Sequence, residues 1–432
     1  MKPAKIKNYR GLYKEFIILK IKLYTLVYFT WRLLTGRVKA RYYFRVLKRL
    51  LFFLSSMKHN KYTRVGKLVK INLYVPGFPS RAFFTACKKM LEFEHKLPCI
   101  TALISVTSTC RYKCPHCYQR YDKGKDMNIE ILVDAVKKMQ DKGIAFFNVE
   151  GGEPFLVFDR LKRVCDTIDS RSEILINSTG DGMTYENLLE LKANKNLLGI
   201  MFSLHTYDPN TLNSFMGVDK AWENLEKGVD LCHRVGIPVT FNSCVLKNDF
   251  YNGTFERIMD ASRNFGGTIL QLIKPKPAGG WLEPGIDNFS KNDYDFIMEK
   301  VDKYNLDKVY HNYTFISAMI REESESLFGC TAGATDRFYI NAKGDLQPCE
   351  FLNISFGNIQ TDDFDKIYSR MRSVFERPAS CLLCEKYAKK VLQIKEKNEL
   401  KFLPLPPELS IEIYDNWERG EVPDFYNKLE KI

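Results

Sequence analysis

The sequence predicts an α/β protein in which a helical N-terminal segment precedes a parallel sheet and a small β-hairpin unit follows it. Three observations support this. Short apolar segments of strand type alternate with helix-periodic segments from Leu103 to about residue 304. Two apolar-rich runs lie in the first 70 residues, and four late cysteines frame a strand–turn–strand pattern. At 432 residues, 45% hydrophobic and 27% charged, the chain has room for two or three packed domains and is neither a disordered protein nor a disulfide scaffold.

The N-terminal segment holds all of the excess positive charge. The formal net charge is +13, yet residues 71–432 carry 46 basic and 51 acidic side chains, whereas residues 1–70 carry 19 basic side chains and one acid. The longest uncharged run in this leader, Leu23 to Trp31, has nine residues. A helix needs about twenty apolar residues to cross a bilayer. No signal-peptide cleavage pattern follows, so the leader is predicted neither to span a membrane nor to be removed.

Both runs of the leader have helical character, and the second is clearly amphipathic. On a helix with about 100° per residue, its basic residues fall within about 100° of arc, opposite large apolar ones. The basic side is Arg41, Arg45, Lys48 and Arg49, and the apolar side is Phe44, Leu47, Leu50, Leu51 and Leu54, with Phe52 as the exception on the basic arc. In the first run, Leu12 to Leu34, Lys20 and Lys22 lie about 200° apart, so its amphipathicity is poor.

A basic face opposite an apolar face is typical of helices that lie in a membrane interface. We therefore expect residues 1–58 to attach the protein to the inner face of the membrane from the cytoplasmic side, where anionic lipids add about 1 kcal/mol per well-placed cation. One alternative is that the two helices pack on the body as an extra layer. Binding of a single-stranded nucleic acid is disfavoured because the leucine face leaves no interleaved aromatic groove, and no nucleic-acid partner is expected.

The strongest motif is a cysteine loop in which Cys110, Cys114 and Cys117 have CxxxCxxC spacing. One tight loop of this kind wraps three corners of a cubane iron–sulfur cluster and leaves the fourth iron open for chemistry. Zinc is the alternative, but it would need a fourth ligand, and zinc sites favour paired CxxC spacing. Five other cysteines stand alone in apolar contexts and are predicted to be small buried side chains in a reducing compartment: Cys87, Cys99, Cys165, Cys232 and Cys244.

A second motif follows about thirty residues later, where the predicted strand Ala145–Val149 ends in Glu150-Gly-Gly-Glu-Pro154. Adjacent glycines at the carboxyl end of a strand let the backbone approach a ligand closely. The pairing of CxxxCxxC with GGEP resembles the radical S-adenosylmethionine (radical SAM) superfamily. His116 stands where that family usually has an aromatic residue before the third cysteine.

The resemblance implies a partial (β/α)6 TIM-like barrel, which matches six strand–helix units counted from Leu103. It also implies a set of contacts to SAM, made by His116, Gly151, Gly152, Glu153, Pro154, Asn177, Ser178 and Ser203. His205 is a weak candidate for a general base, because a histidine at a strand end is more often structural. Lys274 and Lys276, in the turn-rich loop after the sixth strand, are expected to be solvated, with an anionic substrate as the alternative.

The late cysteines form a second constellation. Cys330, Gly344 and Cys349 follow the pattern C-x13-G-x4-C, and Cys381 and Cys384 form a CxxC turn. Between them, Arg337–Asp345 is predicted to be a hairpin with its turn at Ala342–Gly344. A structural zinc ribbon fits four cysteines equally well by count. The pattern resembles the SPASM/twitch extension of radical SAM enzymes, here in a single-cluster form whose four thiolates leave no open iron, so it would relay electrons.

These expectations divide the chain into four parts: a leader at 1–70, a radical SAM core at 95–310, an auxiliary-cluster domain at 325–390 and a tail at 391–432 with a Pro-rich stretch at Leu403–Pro407. The resemblance implies an enzyme, either an oxidoreductase or a bond-forming transferase, with SAM and two [4Fe–4S] clusters as cofactors. An external donor of flavodoxin or ferredoxin type would reduce the first cluster. Cleavage of SAM would yield methionine and a 5′-deoxyadenosyl radical that abstracts hydrogen from an unactivated carbon.

The sequence leaves the substrate open. A lipid or lipid-linked substrate is the leading expectation because the leader would bring the barrel mouth to the bilayer. The alternatives are maturation of a ribosomally synthesised peptide and dehydrogenation of a small sugar or aminocyclitol. A non-enzymatic iron–sulfur or zinc protein is the remaining alternative of a different class.

Overall fold

The computed structural model describes residues 6–89 and 99–432. The first residues of the predicted leader, 1–5, and of the predicted core, 95–98, lie outside the described residues. One open nine-stranded sheet, in the order β10-β9-β8-β7-β6-β5-β4-β11-β12, organises the body. Its strands are β4 Thr101–Ser105, β5 Phe146–Glu150, β6 Glu173–Ser178, β7 Leu197–Ser203, β8 Val239–Cys244, β9 Ile269–Ile273, β10 Phe315–Ala318, β11 Arg337–Ile340 and β12 Leu346–Gln347.

Strands β4 to β10 are parallel to their neighbours in chain order, as alternating strands and helices predict. The α/β class and the partial barrel are therefore confirmed. All six predicted strands are present, and β10 adds a seventh that the sequence analysis missed, since four residues carry little periodic signal. The parallel arrangement places the loops after all these strands at one edge of the sheet.

Helices cover the barrel strands between their crossovers. They are α4 Ile129–Asp141, α5 Phe158–Thr167, α6 Tyr185–Lys192, α7 Pro209–Met216, α8 Ala221–Val235, α9 Thr254–Asn264, α10 Lys291–Leu306 and the short α11 Met319–Glu322. The bounds of α4, α6, α8, α9 and α10 lie within one to three residues of the helix-periodic segments in the sequence, at about 131–139, 184–194, 219–235, 253–265 and 291–304. The missed α7 begins with an Asp208 cap whose side chain accepts the Thr211 N–H.

The predicted late hairpin is present but does not form a separate sheet. Strands β11 and β12 are antiparallel, and the turn between them contains Gly344 at φ +95°. Strand β11 also pairs with β4 in parallel, with Arg337 opposite Thr101. The hairpin is thus the edge of the barrel sheet next to the strand that leads into the cysteine loop.

The C-terminal part packs on both ends of the molecule. Its helices are α12 Phe364–Val374, α13 Leu383–Lys397, α14 Pro407–Tyr414 and α15 Asp424–Glu430. The Pro-rich stretch is a packing arm, because Leu403 and Leu405 are buried and Leu405 bridges to Ile354. Helix α15 returns to the N-terminal elements, where Phe425 and Tyr426 are buried.

The leader forms a small helical and antiparallel unit that shares a separate core with residues 71–89 and α15. The elements of the leader are β1 Asn8–Tyr9, α1 Gly11–Leu34, α2 Ala40–Ser56, β2 Tyr62–Val65 and β3 Leu68–Lys70, and α3 Arg81–Lys89 follows it. The apolar side of α2, including Val46, Leu50 and Phe53, is buried in this core. Arg49, placed by the sequence analysis on the basic outer face, is only 3% exposed. Of the predicted apolar side of α2, Leu50 and Leu54 pack against protein, whereas Phe44 and Leu51 are 61% and 46% exposed, so the interfacial role of α2 stays a prediction.

Helix α1 shows the opposite arrangement. Only a narrow side is buried, formed by Ile18, Ile21, Thr25 and Phe29. Most of its remaining surface is apolar and exposed: Leu12, Tyr13, Phe16, Leu19, Leu23, Tyr24, Leu26, Val27, Trp31 and Leu34. Within the described part of the chain, no helix is both long and apolar enough to cross a bilayer.

Candidate active site

One cavity opens at the carboxyl edge of the barrel strands and faces the auxiliary hairpin. It brings together ten of the residues predicted to bind the cluster or SAM or to act as a base: Cys110, Cys114, His116, Cys117, Gly151, Gly152, Asn177, Ser178, Ser203 and His205. Glu153 and Pro154 are buried and do not line it. The parallel strands thus bring the CxxxCxxC and GGEP motifs to one cavity, although the two motifs are about thirty residues apart in the chain.

The cysteine loop is held on two sides by backbone hydrogen bonds. The Lys113 N–H donates to the Met216 carbonyl at 3.0 Å, and the Gly280 N–H donates to the Cys117 carbonyl at 3.0 Å. A Cβ on Gly279 would lie 2.1 Å from the Cys117 oxygen, so the loop after β9 can pack this closely only because it has glycine there. The three thiols are partly exposed and face the cavity.

The donor set fits an iron–sulfur cluster. Burial raises the pKa of the Cys110 thiol to about 11 and that of Cys114 further. A thiolate in such a place needs nearby positive charge, which the irons of a cluster supply. Among the described residues, no three Cys, His, Asp or Glu side chains are close enough together to hold a single metal ion.

The two glycines of the GGEP motif lie directly against the start of the cysteine loop. The Gly152 N–H donates to the Thr107 carbonyl at 2.7 Å, and a Cβ on Gly152 would lie 2.2 Å from the Thr109 oxygen. Both neighbours are backbone atoms that cannot turn aside. Glycine is therefore required at Gly152 by the close approach of two loops as well as by any ligand.

Glu153 ties the motif to the end of β6. Its Oε1 accepts the Ser178 hydroxyl at 2.8 Å, and its Oε2 accepts both the N–H and the hydroxyl of Thr179 at 2.6 Å. Burial raises its pKa to about 7, although these hydrogen bonds oppose the rise. The side chain of Glu153, predicted as a SAM contact, is thus occupied in fixing two loops that border the cavity.

The two histidines of the cavity are neutral and lie in one aromatic cluster with Phe215. His116 lies on Phe215 with ring centroids 4.8 Å apart and contacts His205 edge-on at 4.5 Å. Burial lowers the pKa of His116 to about 4 and that of His205 well below its usual value. The His205 Nδ1 accepts the Cys244 N–H at 3.1 Å, so its remaining ring nitrogen carries the hydrogen. This leaves His205 no free lone pair for a general base.

Glu150 is a cavity residue to which the sequence analysis gave no role. Its carboxylate accepts the Tyr118 hydroxyl at 2.6 Å and the side-chain amides of Asn177 at 3.0 Å and Asn148 at 3.2 Å. Burial raises its pKa to about 8, against the opposing effect of these donors. The Oδ1 atoms of Asn148 and Asn177 are buried without a partner. The signal that points to Glu150 is its place at the last residue of β5.

The loop lysines are buried, which corrects the expectation that they are solvated. Lys274 forms an ion pair with Glu385 at 2.8 Å, and Lys276 pairs with Glu323 at 2.5 Å and with Glu385 at 3.1 Å. Although burial lowers the pKa of Lys276, the two carboxylates raise it above its usual value. Glu385 directly follows Cys384, so this network joins the barrel mouth to the auxiliary domain.

Three of the four late cysteines share one small cavity beside this network. Cys330, Cys349 and Cys384 line it together with Glu323 and Arg337. Cys381 does not line it; its N–H donates to the Arg419 carbonyl at 3.3 Å on the neighbouring chain segment. The structure therefore brings Cys330, Cys349 and Cys384 together and leaves Cys381 outside their cavity, and the site of four thiolates stays a prediction. The five isolated cysteines are all buried, as expected.

Family models match both parts of this arrangement. The model described as "Radical SAM superfamily" matches residues 104–261, and the model of the SPASM "Iron-sulfur cluster-binding domain" matches residues 330–386. The first match contains the cysteine loop and the GGEP motif, and the second contains all four late cysteines.

Curated relatives and solved structures agree with these matches. The AdoMet-dependent heme synthase of Nitratidesulfovibrio vulgaris is 22% identical over 65% of this chain and 83% of its own length. The GTP 3′,8-cyclase of Nautilia profundicola is 23% identical over 62% of this chain and 88% of its own. Streptococcus suis SuiB bound to its precursor peptide SuiA has a TM-score of 0.54 at 17% identity, covering 68% of this chain and 72% of that one. Native anSMEcpe with AdoMet and the Kp18Cys peptide has a TM-score of 0.52 at 17% identity, covering 77% and 95%.

The two domains imply SAM, a SAM-binding [4Fe–4S] cluster and an auxiliary [4Fe–4S] cluster as cofactors, and the cysteine loop, the strand-end cavity and the late cysteines are the residues predicted to hold them. The chain contains a radical SAM domain at 104–261 and a SPASM domain at 330–386, and it is a radical SAM enzyme.

Proposed function

We propose that this enzyme modifies a peptide by abstracting a hydrogen atom from one of its carbons. When bound, the cluster and SAM supply a 5′-deoxyadenosyl radical after one-electron reduction. The chain's own residues enclose the reaction: the cysteine loop and the Gly279–Trp281 turn cover one side, and the strand ends form the floor. The Asn177 and Ser178 side chains, with the Gly151 backbone, are proposed to orient SAM there.

The observation that supports a peptide substrate is the set of carboxamide side chains in the cavity. Five of them line it: Gln119, Asn148, Asn177, Asn242 and Gln271. The buried Oδ1 atom of Asn148, which is not assigned to SAM, has no partner within the protein. An apolar chain would leave it unpaired at a cost of about 1–3 kcal/mol, whereas an amide N–H group would satisfy it.

The fold is compatible with such a substrate. The two similar structures are SuiB with a precursor peptide and anSMEcpe with a peptide and AdoMet, so the same architecture admits peptide chains in those proteins. The carboxamides of the cavity also weaken the expectation of a lipid as the molecule that reacts. In this chain Lys276 and Glu350 lie on the cavity wall next to the auxiliary cysteines, a placement that suits removal of an electron from a substrate radical.

Mass spectrometry tests the peptide assignment. Peptides, lipids and small metabolites are compared in cells with the active gene, without it, and with the variant Cys110→Ala/Cys114→Ala/Cys117→Ala. We expect a peptide whose mass changes only with the active enzyme. Changes confined to lipids, or to a sugar or aminocyclitol, would assign the alternative substrate instead.

The exposed side of α1 supports a second proposal, that the enzyme docks on a membrane surface while it works. Ten large apolar side chains of α1 are exposed, and Lys20 lies among them. An apolar helix face with interspersed cations suits a surface of anionic lipid. External reduction by a flavodoxin- or ferredoxin-type donor remains part of the proposed function.

Deleting residues 1–58 would remove part of the core in which α2 packs, so point changes are the sharper test of membrane docking. Leu19→Glu/Leu23→Glu should release the enzyme from vesicles that contain phosphatidylglycerol. Leu189→Glu/Ile411→Glu changes two equally exposed apolar residues elsewhere and is the matched control. Equal vesicle binding of wild type and the α1 variant contradicts membrane docking.

A further inference from the structure

The outer side of the cysteine loop carries a compact group of cations. Arg111, Lys113, Arg120, Lys123 and Lys125 are all exposed and lie within fifteen residues, and Lys123 stands at the rim, where it also lines the cavity. We call these five residues the basic loop surface. It is unusual in this chain because residues 71–432 contain more acidic than basic side chains. Of the five, only Arg111 forms an ion pair within the described residues, with Asp181 at 3.2 Å.

The acids near this surface do not neutralise it. Asp122 is buried against Lys343 at 3.2 Å, and Asp126 accepts the Thr107 hydroxyl at 2.6 Å and the Ser108 N–H at 2.8 Å. Glu283 accepts the Tyr121 hydroxyl at 2.7 Å and lies 3.5 Å from Lys395. The carboxylates therefore point into the protein or meet other groups, and the exposed potential of the loop is positive.

The basic loop surface belongs to the same chain segment as the cluster cysteines, which are partly exposed. Lys113 lies between Cys110 and Cys114, and Arg120 follows Cys117 by three residues. The inner side of this loop faces the cavity, so a protein seated on the outer side would be one layer of chain from the thiols. No other described segment that carries exposed cations in this density contains cluster-type cysteines.

We propose that the basic loop surface is the docking site for an acidic one-electron carrier protein of the flavodoxin or ferredoxin class. The carrier would be oxidised by one electron in each encounter, and that electron would enter behind the loop. This inference rests on the proposed function only in that its radical chemistry consumes one electron per SAM cleaved. Complementary charge steers such encounters and raises association rates by about 10- to 1,000-fold.

A membrane surface fits this site less well. No large apolar side chain of residues 99–188 is exposed in the way that those of α1 are. Charge without an inserted apolar face suits a soluble partner that must leave after each transfer, since such encounters use small interfaces. The apolar surface of α1 and the basic loop surface are therefore proposed to serve different partners.

The test measures 5′-deoxyadenosine formation by the anaerobically reconstituted enzyme with two reductants, an acidic flavodoxin with its reductase and sodium dithionite. Arg120→Glu/Lys125→Glu reverses two exposed cations outside the cysteine loop and leaves Lys123, which lines the cavity, unchanged. Lys67→Glu/Lys195→Glu reverses two exposed lysines in a cleft at the opposite, amino end of the strands and is the matched control. At sub-saturating flavodoxin and about 50 mM salt, we expect the first variant to lose about tenfold or more in rate and the control to lose less than twofold.

With dithionite, both variants should match the wild type, because a small reductant needs no docking surface. Wild-type activity with flavodoxin should fall steeply as salt rises, and activity with dithionite should not. Equal flavodoxin-driven rates for the loop variant and wild type overturn the proposal, as does an equal loss with both reductants. A loss that is restricted to binding of anionic vesicles assigns the surface to a membrane and also overturns it. Failure of the proposed function appears separately, as SAM cleavage without a modified peptide.

Discussion

The substitution Lys276→Met tests whether the buried ion network holds the auxiliary domain on the barrel. The Lys276 side chain is 3% exposed and contacts Glu323 at 2.5 Å and Glu385 at 3.1 Å. Methionine keeps most of the aliphatic volume but leaves both carboxylates without this partner. Removing one member of a buried pair costs about 3–5 kcal/mol. Lys274 continues to pair with Glu385, so the lower part of that range is expected.

The cost translates into a measurable shift of the unfolding midpoint. An unfolding entropy of about 2.1 cal/mol/K per residue gives about 0.9 kcal/mol/K for a chain of this length, so Lys276→Met should lower the midpoint by about 3–5 °C. The assay is thermal unfolding of the reconstituted enzyme, followed by circular dichroism under anaerobic conditions. Lys162→Met breaks an exposed pair with Asp166, whose side chains are 33% and 41% exposed, and should shift the midpoint by about 1 °C or less.

A double variant separates loss of charge pairing from loss of packing. Lys276→Met/Glu323→Gln removes a positive and a negative member of the network together. We expect its midpoint to lie above that of Lys276→Met, because the buried carboxylate of Glu323, which keeps only the longer 3.7 Å pair with Arg337 once Lys276 is gone, has been neutralised. The reasoning fails if Lys276→Met unfolds within 1 °C of wild type, or if the double variant is less stable than the single one.

Three further outcomes are expected. Cys110→Ala/Cys114→Ala/Cys117→Ala should lower the iron content by about four iron atoms per chain and abolish SAM cleavage. Cys165→Ala, which changes an isolated buried cysteine, should leave the iron content unchanged. Retained cleavage in the triple variant would refute the cluster assignment. Gly152→Ala should abolish SAM cleavage and destabilise the protein by about 1–3 kcal/mol, since its Cβ would lie 2.2 Å from the Thr109 oxygen. The control Gly253→Ala places its Cβ in open space and bears only the strain of its positive φ. Equal effects of the two substitutions on chemical denaturation would contradict this reasoning. Burial, and then the nearby Glu323 charge, raise the pKa of Glu322 to about 8. In the unfolded chain the same carboxyl loses its proton near the ordinary glutamate pKa of about 4.3, whereas the folded state keeps the proton. The free energy of unfolding should therefore fall as pH rises from about 4.3 to about 8. Glu322→Gln should flatten this decline in urea unfolding from pH 5 to 8 and the exposed control Glu223→Gln should not; an unchanged slope in Glu322→Gln removes Glu322 as its cause.

Much of the core could be predicted from the sequence because its signals are local. Cys110, Cys114 and Cys117 lie within eight residues, and the glycines of the second motif follow one strand directly. Helices such as α8 repeat apolar residues at their own period. These features depend on neighbours a few residues away in the chain, so they can be read from the sequence without knowledge of the fold.

The surroundings of the charged side chains could not be predicted in this way. Lys276 was expected in solvent, and its burial depends on Glu385, which is 109 residues away in the chain. The same limit applies to Arg49, which lies on a basic arc of α2 yet is buried and lines a cavity together with Phe425 and Tyr426 of α15. A helical pattern shows which residues share a side, but not what covers that side.

The amino-acid order alone was enough to establish the strand–helix alternation, both cysteine sets and the family chemistry they support. Only the folded chain shows that β11 continues the barrel sheet, that α2 packs inward while α1 remains exposed, and that buried ion pairs join the cavity to the auxiliary cysteines. The physical reason is range. Periodicity and ligand spacing are properties of short segments, whereas burial and charge pairing depend on which distant segments the tertiary structure brings into contact.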